Sequence, residues 1–240
     1  MKNILIRKLI KNWRKIRVSK VKYYYELLLE EFRRFNYPPK GIKKYTINVF
    51  KLRRIKKLLI KSNKLHIGCG DIRAEGFINI DVFKTEATDF VCKIEDLPKY
   101  IKKDSIKLIY SSHTLEHFSR YNSMQVLRMF YDLLKNSGEL RISVPDLIKL
   151  GKIAVKRDLE FKNMELIQGI LMGGQDTRYN YHKSVFWFDF FKHILINIGF
   201  REVNKYPDTT HFLGDIVDAS SMAGKPDLGS CISLNIKAVK

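Results

Sequence analysis

The chain has 240 residues, of which 45% are hydrophobic and 12% aromatic, enough to bury the core of one large domain or of one domain with an extension. Its net charge of +20 is concentrated in residues 1–64, which hold 21 Lys and Arg against 3 Asp and Glu, whereas the remainder is nearly neutral. Three isolated cysteines argue against a zinc site and a disulfide framework, and no apolar run approaches the roughly 18 residues of a membrane span, so a cytoplasmic location is expected.

The first 63 residues are predicted to form a basic helical extension. Apolar residues from Ile6 to Ile16 recur at helical spacing around Trp13, with lysines and arginines on the opposite side. Residues 20–35 and 50–61 indicate two further helices. The extension could pack on the main domain, or residues 1–35 could contact an anionic membrane surface, for example at the inner face of the membrane. Nucleic-acid binding is not favoured but stays open, since no recognition motif is present.

A glycine turn lies between two short apolar strands. Residues 65–67 form the first strand, and Gly68 and Gly70 follow it. Glycine lets the chain turn sharply and lets a ligand approach the backbone closely. The second strand, residues 78–80, ends at Asp81, an acid placed to accept hydrogen bonds from ribose hydroxyls. The arrangement predicts a nucleoside pocket.

Strands alternate with helices along the rest of the chain, which predicts an α/β domain with a mainly parallel sheet. The predicted elements are strands at 89–94, 106–111 and 140–144 and a helix at 121–135 that stops at Asn136-Ser137-Gly138. Asp96 follows the first of these strands, and its carboxylate could accept a hydrogen bond from the amino group of adenine.

Four runs together resemble the class I S-adenosylmethionine-dependent methyltransferases: LHIGCGDIRAEGFINIDV, EDLP, SSHTLEHF and VLRMFYDLLKNSGELRISVPD. More narrowly, they resemble the type-11-like branch that is often linked to surface polysaccharide biosynthesis. The similarity covers residues 64–240, which are expected to form one domain. It implies a Rossmann-like, doubly wound, mainly parallel seven-stranded sheet with helices on both faces and an antiparallel last strand. It also implies S-adenosyl-L-methionine as the cofactor.

The resemblance assigns roles to residues at matching positions. Gly68 and Gly70 would lie under the methionine part of the cofactor, and Asp81 would hold the ribose. Asp96 would hold the adenine amino group. The segment Ser112-His113, after the fourth strand, would line the methyl-transfer site.

This sequence departs from the family pattern at two positions. His66 occupies a cofactor-contacting position where the family usually has an acid, and Ile72 replaces a third glycine. Only ten residues separate Gly70 from Asp81, which leaves little room for a crossover helix. We therefore expect an irregular connection between the first two strands.

Two histidines are candidate catalytic residues. His113 follows a strand that should end at the ligand-binding edge of the sheet, where it could act as a base or contact substrate or cofactor. His182 lies in a polar, aromatic loop before a late helix, a suitable acceptor site. His113 and His117 would be an i, i+4 pair on a helix, but a third ligand is not evident, so no metal site is predicted.

The expected function is transfer of a methyl group to oxygen in a small molecule or a glycan, including a lipid-linked saccharide. Methyl transfer from a sulfonium is a displacement that needs alignment of nucleophile, methyl carbon and sulfur. RNA methylation, with the basic extension on phosphates, is an alternative. A catalytically silent protein that only binds S-adenosylmethionine or acts as a scaffold is another. Methylation of DNA bases is disfavoured, since Ser111-Ser112-His113-Thr114 lacks the usual acid or amide, prolines and aromatic. The oligomeric state is not predicted.

Overall fold

The computed structural model describes residues 47–156, 159–207, 218–220 and 231–240. The two predicted helices within residues 1–35, and with them the proposed membrane contact, lie outside these residues. Within the described part of the chain, no helix has the length and apolar character needed to cross a membrane.

Seven strands and five α-helices are described. The strands are β1 (Lys64–Ile67), β2 (Ile78–Asp81), β3 (Phe90–Val91), β4 (Ile106–Ser112), β5 (Leu134–Pro145), β6 (Glu202–Lys205) and β7 (Ser233–Val239). The helices are α1 (Val49–Lys61), α2 (Arg120–Leu133), α3 (Leu147–Ala154), α4 (Phe161–Met172) and α5 (Phe188–Ile198). Two short 3-10 helices, Ile94–Lys99 and Leu115–His117, follow β3 and β4.

The strands form one sheet in the order β3-β2-β1-β4-β5-β7-β6. Pairs from β3 to β5 are parallel, whereas β7 runs antiparallel to both β5 and β6. The central strands are buried, as an apolar sequence within a parallel sheet requires. The predicted fold class, a Rossmann-like and mainly parallel seven-stranded sheet with an antiparallel last strand, is confirmed.

The connection between β1 and β2 contains no helix, which confirms the irregular connection expected from its length. Asn79 holds this connection together from the middle of β2. Its Oδ1 accepts from the backbone N–H of Ala74 at 2.9 Å, and its Nδ2 donates to Asp89 Oδ2 at 3.0 Å. Arg73 closes the other side with an Nη1 contact to Asp89 Oδ1 at 3.0 Å. A network of side chains thus takes the place of a crossover helix.

The end of α2 differs from the expected glycine stop. The helix ends at Leu133 and the chain enters β5 at once, with Leu134 opposite Ile106 on β4. Residues 135–138 form an irregularity within the strand, where Ser137 has a φ of 59°. A β-carbon at Gly138 would lie 2.7 Å from the carbonyl oxygen of Lys135. Glycine at this position therefore permits a tight irregularity within β5, and it does not cap the helix.

Helix α1, predicted at 50–61, lies against the edge of the sheet. Asn48 caps its first turn, and Ile55 is fully buried in the core. Lys51 Nζ donates to the carbonyl of Val91 at 2.8 Å, and Arg54 Nε donates to that of Asp89 at 2.7 Å. Two basic side chains of the predicted extension thus satisfy backbone carbonyls around β3.

Candidate functional site

A cavity of about 710 Å³ opens at the carboxyl ends of β1, β2 and β4. We call it the glycine-loop cavity. Its wall includes Gly68 and Gly70, residues 81–83 and 93–95, residues 113–114, 117–119 and 122 after β4, and residues 177–180. Its volume lies in the range of small-molecule sites, and the ends of parallel strands are the usual place for one.

Gly68 has no room for a side chain. Its φ is 72°, and a β-carbon there would lie 2.0 Å from Thr114 Oγ1. Its backbone N–H donates to the carbonyl of Ile80 at 2.9 Å, which ties the turn to β2. Glycine is required at this position both by the left-handed backbone and by the close approach of the segment after β4.

Asp81 and Gly70, which the sequence places together, are in direct contact. The N–H of Gly70 donates to Asp81 Oδ2 at 3.0 Å, and the N–H of Phe83 donates to Oδ1 at 2.9 Å. Both carboxylate oxygens are thus held by the backbone. Each keeps a further acceptor position, so the fixed carboxylate at the cavity wall can receive hydroxyl groups.

Asp96 does not line either cavity described here, and Glu95 lines the glycine-loop cavity in its place. Both acids lie in the 3-10 helix Ile94–Lys99, in which side chains at i and i+3 eclipse each other. Asp96 accordingly pairs with Lys99 at 2.6 Å. The neighbouring acid is thereby turned towards the cavity, a one-residue difference that the EDLP motif alone does not reveal.

His66 is 2% exposed and is not among the residues that line the cavity. Its Nδ1 lies 3.0 Å from Asn79 Oδ1, and since the Asn79 oxygen can only accept, this nitrogen carries the proton. Burial lowers the pKa of His66, only partly offset by the hydrogen bond to Asn79. The structure therefore places His66 as a neutral, internal support for the β1–β2 connection, away from the position expected for a cofactor contact.

Ser112 is also absent from the cavity wall. Its Oγ is buried and has no hydrogen-bond partner among the described residues, while its carbonyl accepts from Thr114 Oγ1 at 3.0 Å. The segment after β4 reaches the cavity through the next two residues, His113 and Thr114.

A second cavity of about 600 Å³ lies beside helix α4. We call it the α4 cavity. Leu166, Gly169 and Ile170 line it from α4, Ile232 closes it near β7, and His182 lines it from the loop before α5. The buried side chains of Ile153 and Ile167 also form the centre of a small apolar cluster in this region. The wall is almost entirely apolar, whereas polar groups make up a larger share of the wall of the glycine-loop cavity.

His113 lines both cavities. Its φ is 46°, so the residue leaves the strand in a left-handed conformation and is not on a helix. Its Nε2 lies 2.8 Å from Ser233 Oγ, and that hydroxyl donates to the carbonyl of Ala219. The Nε2 atom therefore carries a proton, and Nδ1 faces Glu116 Oε1 at 3.2 Å. Both ring nitrogens of His113 face protein groups.

His182 lies on the other side of the same wall. Its Nδ1 donates to the carbonyl of Ile170 at 2.8 Å, and its ring meets that of His117 edge to face, with centroids 4.7 Å apart. Burial lowers the pKa of His182, only partly offset by the nearby Glu116 carboxylate. The two predicted catalytic histidines are thus brought to one wall, with Glu116 between them.

Sequence reasoning missed several residues of the site. Phe83 and Tyr179 meet edge to face with centroids 5.2 Å apart and close one side of the glycine-loop cavity. Arg178 lines the same cavity. Glu116, 1% exposed, lies within the recognised SSHTLEHF run, but the motif does not indicate that its carboxylate is buried among histidines.

No protein-family model and no curated protein matches this chain. Similar solved structures include an S-adenosylmethionine-dependent methyltransferase from Archaeoglobus fulgidus, 17% identical over 90% of this chain and 100% of that one, with a TM-score of 0.45. A putative methyltransferase of the same kind from Listeria monocytogenes is 17% identical over 80% and 99%, with a TM-score of 0.46.

A third is the phosphoethanolamine N-methyltransferase 2 of Haemonchus contortus in complex with S-adenosyl-L-methionine. It is 13% identical over 80% of this chain and 52% of that one, with a TM-score of 0.43. All three TM-scores lie below 0.5.

Proposed function

We propose that this protein is an S-adenosyl-L-methionine-dependent methyltransferase. One observation carries the proposal: the glycine turn after β1 is hydrogen-bonded to the acid that ends β2, at the wall of a cavity of about 710 Å³. In this arrangement Asp81 would hold the ribose hydroxyls and Glu95 the adenine amino group. The Gly68–Gly70 backbone would lie under the methionine part.

The contact between the two cavities supports group transfer and not binding alone. Displacement at the methyl carbon needs donor sulfur, carbon and acceptor in line and water excluded. His113 lines both cavities, so the methyl group would pass beside it, and we retain it as a candidate catalytic residue that contacts the reacting groups. His182 would contact the acceptor from the side of the α4 cavity.

We propose an oxygen atom of a small molecule or a glycan as the acceptor. The α4 cavity offers an apolar wall with a few polar groups, among them His113, Glu165 and His182. Such a wall suits a sugar hydroxyl presented on an apolar carrier, as in a lipid-linked saccharide. A link to surface polysaccharide biosynthesis is part of this proposal.

Calorimetry of the full chain with S-adenosylmethionine and S-adenosylhomocysteine tests the cofactor. We expect one site, and at least a tenfold loss of affinity in Asp81→Ala, since a charged acceptor of two hydroxyls is removed. Asp189→Asn, which changes an exposed acid on α5 away from both cavities, serves as the matched control. Absence of binding, or unchanged binding in Asp81→Ala, would refute the cofactor assignment.

Transfer from labelled cofactor to fractionated glycan, lipid and RNA extracts tests the acceptor. Label in a glycan or lipid fraction supports the proposal. Label in RNA would instead establish the alternative of an RNA methyltransferase, and its binding should then fall steeply with salt. Cofactor binding without label in any fraction would favour the silent binding or scaffold protein.

The basic residues of the first 35 positions support a peripheral contact with anionic lipid at the cytoplasmic face of a membrane. Co-sedimentation with anionic and neutral vesicles tests this contact. We expect binding to anionic vesicles that is lost when residues 1–35 are deleted. Equal co-sedimentation of the full and shortened chains would contradict it.

A further inference from the structure

The wall between the two cavities contains a cluster of three side chains, two of which have no part in the methyl-transfer proposal. Glu116, His117 and His182 each offer one potential ligand atom, and these atoms all lie within 4.8 Å of one another. The first two residues belong to the 3-10 helix Leu115–His117 and the third to the loop before α5. The fold thus joins segments 65 positions apart in the chain.

Glu116 lacks the partners that a buried carboxylate normally has. Its side chain is 1% exposed, and neither oxygen has a hydrogen-bond partner among the described residues. The 3.2 Å contact with His113 Nδ1 is within ion-pair range but lacks hydrogen-bond geometry. Burying an ion without compensation costs several kcal/mol. A cation beside these oxygens would offset this cost, as a protonated His113 ring at 3.2 Å also would.

The two histidines are arranged as nitrogen ligands. His182 donates its Nδ1 proton to the carbonyl of Ile170, which leaves Nε2 with a free lone pair. A hydrogen bond of this kind, from the second ring nitrogen to a backbone carbonyl, is typical of metal-binding histidines. His117 Nδ1 is buried and has no hydrogen-bond partner within the described part of the chain.

We propose that Glu116, His117 and His182 bind one divalent transition-metal ion of the zinc type. Two imidazoles and one carboxylate form the donor set of open zinc sites and of other transition-metal sites, whereas Mg²⁺ and Ca²⁺ prefer oxygen ligands alone. Bonds of about 2.0–2.2 Å would bring the ligand atoms to roughly 3.3 Å from one another. The side chains therefore rotate inward by about 1 Å when the ion binds.

The sequence indicates no third ligand for a histidine pair at His113 and His117. In the fold, His113 is not one of the three proposed ligands. It contacts the Glu116 carboxylate at 3.2 Å and is a positioning residue for it. Three protein ligands leave at least one coordination position for an oxygen ligand. His117 lines the glycine-loop cavity and His182 the α4 cavity, so that position would be available to an acceptor hydroxyl. This role, unlike metal binding itself, rests on the proposed function.

Metal binding can be measured on the full chain after treatment with a chelator. Titration with Zn²⁺ alone should give one tight site, and Co²⁺ should give the visible absorption of a site with nitrogen ligands. We expect each of His182→Ala and Glu116→Gln to weaken Zn²⁺ binding at least tenfold. His193→Ala is the control, since this histidine is exposed on α5 and bonded to Asn197, and its binding should be unchanged.

The thermal unfolding midpoint supplies a second measurement that does not depend on activity. Zn²⁺ should raise it in the wild type and in His193→Ala and not in His182→Ala. Glu116→Gln is interpreted only if its circular dichroism matches the wild type, whereas His182 is half-buried in a loop and gives a second, independent test. Stoichiometric binding that persists in His182→Ala, or no binding by the wild type, would overturn the metal site.

Failure of this inference and failure of the proposed function give different results. Zn²⁺ binding without S-adenosylmethionine binding would leave the metal site standing and remove the methyltransferase. Cofactor binding by a protein that takes up no Zn²⁺ or Co²⁺ would leave the methyltransferase proposal standing and remove the metal site. Mn²⁺, tested in the same way, distinguishes a zinc-type preference from a general one for divalent ions.

Discussion

The two cavities that meet at His113 differ in the parts of the protein that form their walls. The glycine-loop cavity is shaped by backbone turns at strand ends, and its polar groups are fixed by main-chain hydrogen bonds, as those of Asp81 show. The α4 cavity is shaped by apolar side chains of one helix and by loops around it. A cavity whose acid is fixed by main-chain hydrogen bonds suits a ligand that never changes, whereas an apolar cavity on a helix can be altered residue by residue. The first suits a cofactor, and the second suits an acceptor.

Among the substitutions considered, Gly68→Ala should have the largest effect, and it should disrupt the glycine-loop cavity. The new β-carbon would meet Thr114 at 2.0 Å in a left-handed backbone, so we expect a loss of cofactor affinity on the order of hundredfold. Gly70→Ala is the matched control. It also has a positive φ but has no described atom within 4 Å of the new carbon, so it should lose far less. Equal calorimetric losses would contradict the steric argument.

Gly169→Phe should impair the α4 cavity and leave the glycine-loop cavity unaffected. Gly169 lines the α4 cavity, and a β-carbon there would meet no described atom within 4 Å, so a larger side chain can start into the cavity from this position. We expect methyl incorporation to fall roughly tenfold or more while cofactor affinity stays within about twofold. Gly169→Ala should retain activity and stabilise α4 by about 1 kcal/mol in urea unfolding. Loss of cofactor binding in the Phe variant would show that the cavities are not separate sites.

The substitutions Glu95→Gln and Asp96→Asn test which of two neighbouring acids contributes to the glycine-loop cavity. Glu95 lines it, whereas Asp96 is engaged by Lys99. We expect the first substitution to weaken cofactor binding roughly three- to tenfold and the second to leave it nearly unchanged. The same calorimetric titration measures both. A larger effect at Asp96 would restore the assignment that the motif suggests.

Asp89→Asn should have the smallest effect, acting on the support beneath the glycine turn. Hydrogen bonds from Asn79 and Arg73 hold the pKa of Asp89 below its ordinary value of 3.8, against the opposing effect of burial. The stability that Asp89 contributes is therefore present above pH 3.8 and is lost as the pH falls through the lower folded-state pKa. We expect the variant to be less stable than the wild type by about 1 kcal/mol at pH 7.

The difference between Asp89→Asn and the wild type should shrink in acid. Urea unfolding at pH 7 and below pH 4 measures it, with Glu75→Gln as the control, because Glu75 is an exposed partner of Arg73. A difference that does not depend on pH would contradict the role given to the ionised carboxylate.

The sequence predicts the glycine-loop cavity far better than the α4 cavity. Gly68, Gly70 and Asp81 lie within 14 positions, and the geometry of strand, turn and strand brings them together whatever surrounds them. The choice between Glu95 and Asp96 depends instead on how a short 3-10 helix is rotated. Sequence periodicity does not resolve a rotation of one residue, so the sequence does not distinguish Glu95 from Asp96 as the acid that lines the cavity.

The cluster around Glu116 could not be predicted from the sequence. His113 and His117 have helical spacing, but His113 takes a left-handed backbone conformation and the helical pair does not form. His182 joins His117 through a loop whose path depends on the packing of α4 and α5. Contacts between residues 65 positions apart follow from tertiary structure and not from spacing.

The main chain of Glu116 gives this wall a mechanical role. Its carbonyl oxygen accepts the N–H groups of Lys183 at 2.7 Å and Ser184 at 3.3 Å, while its carboxylate faces the histidines. One peptide group thus holds the loop that contributes to both cavities. A ligand that shifts Glu116 would shift that loop, so occupancy of one cavity should change affinity in the other, by the same factor in either direction. The affinities of the two cavities for their ligands would then be coupled through a single peptide group.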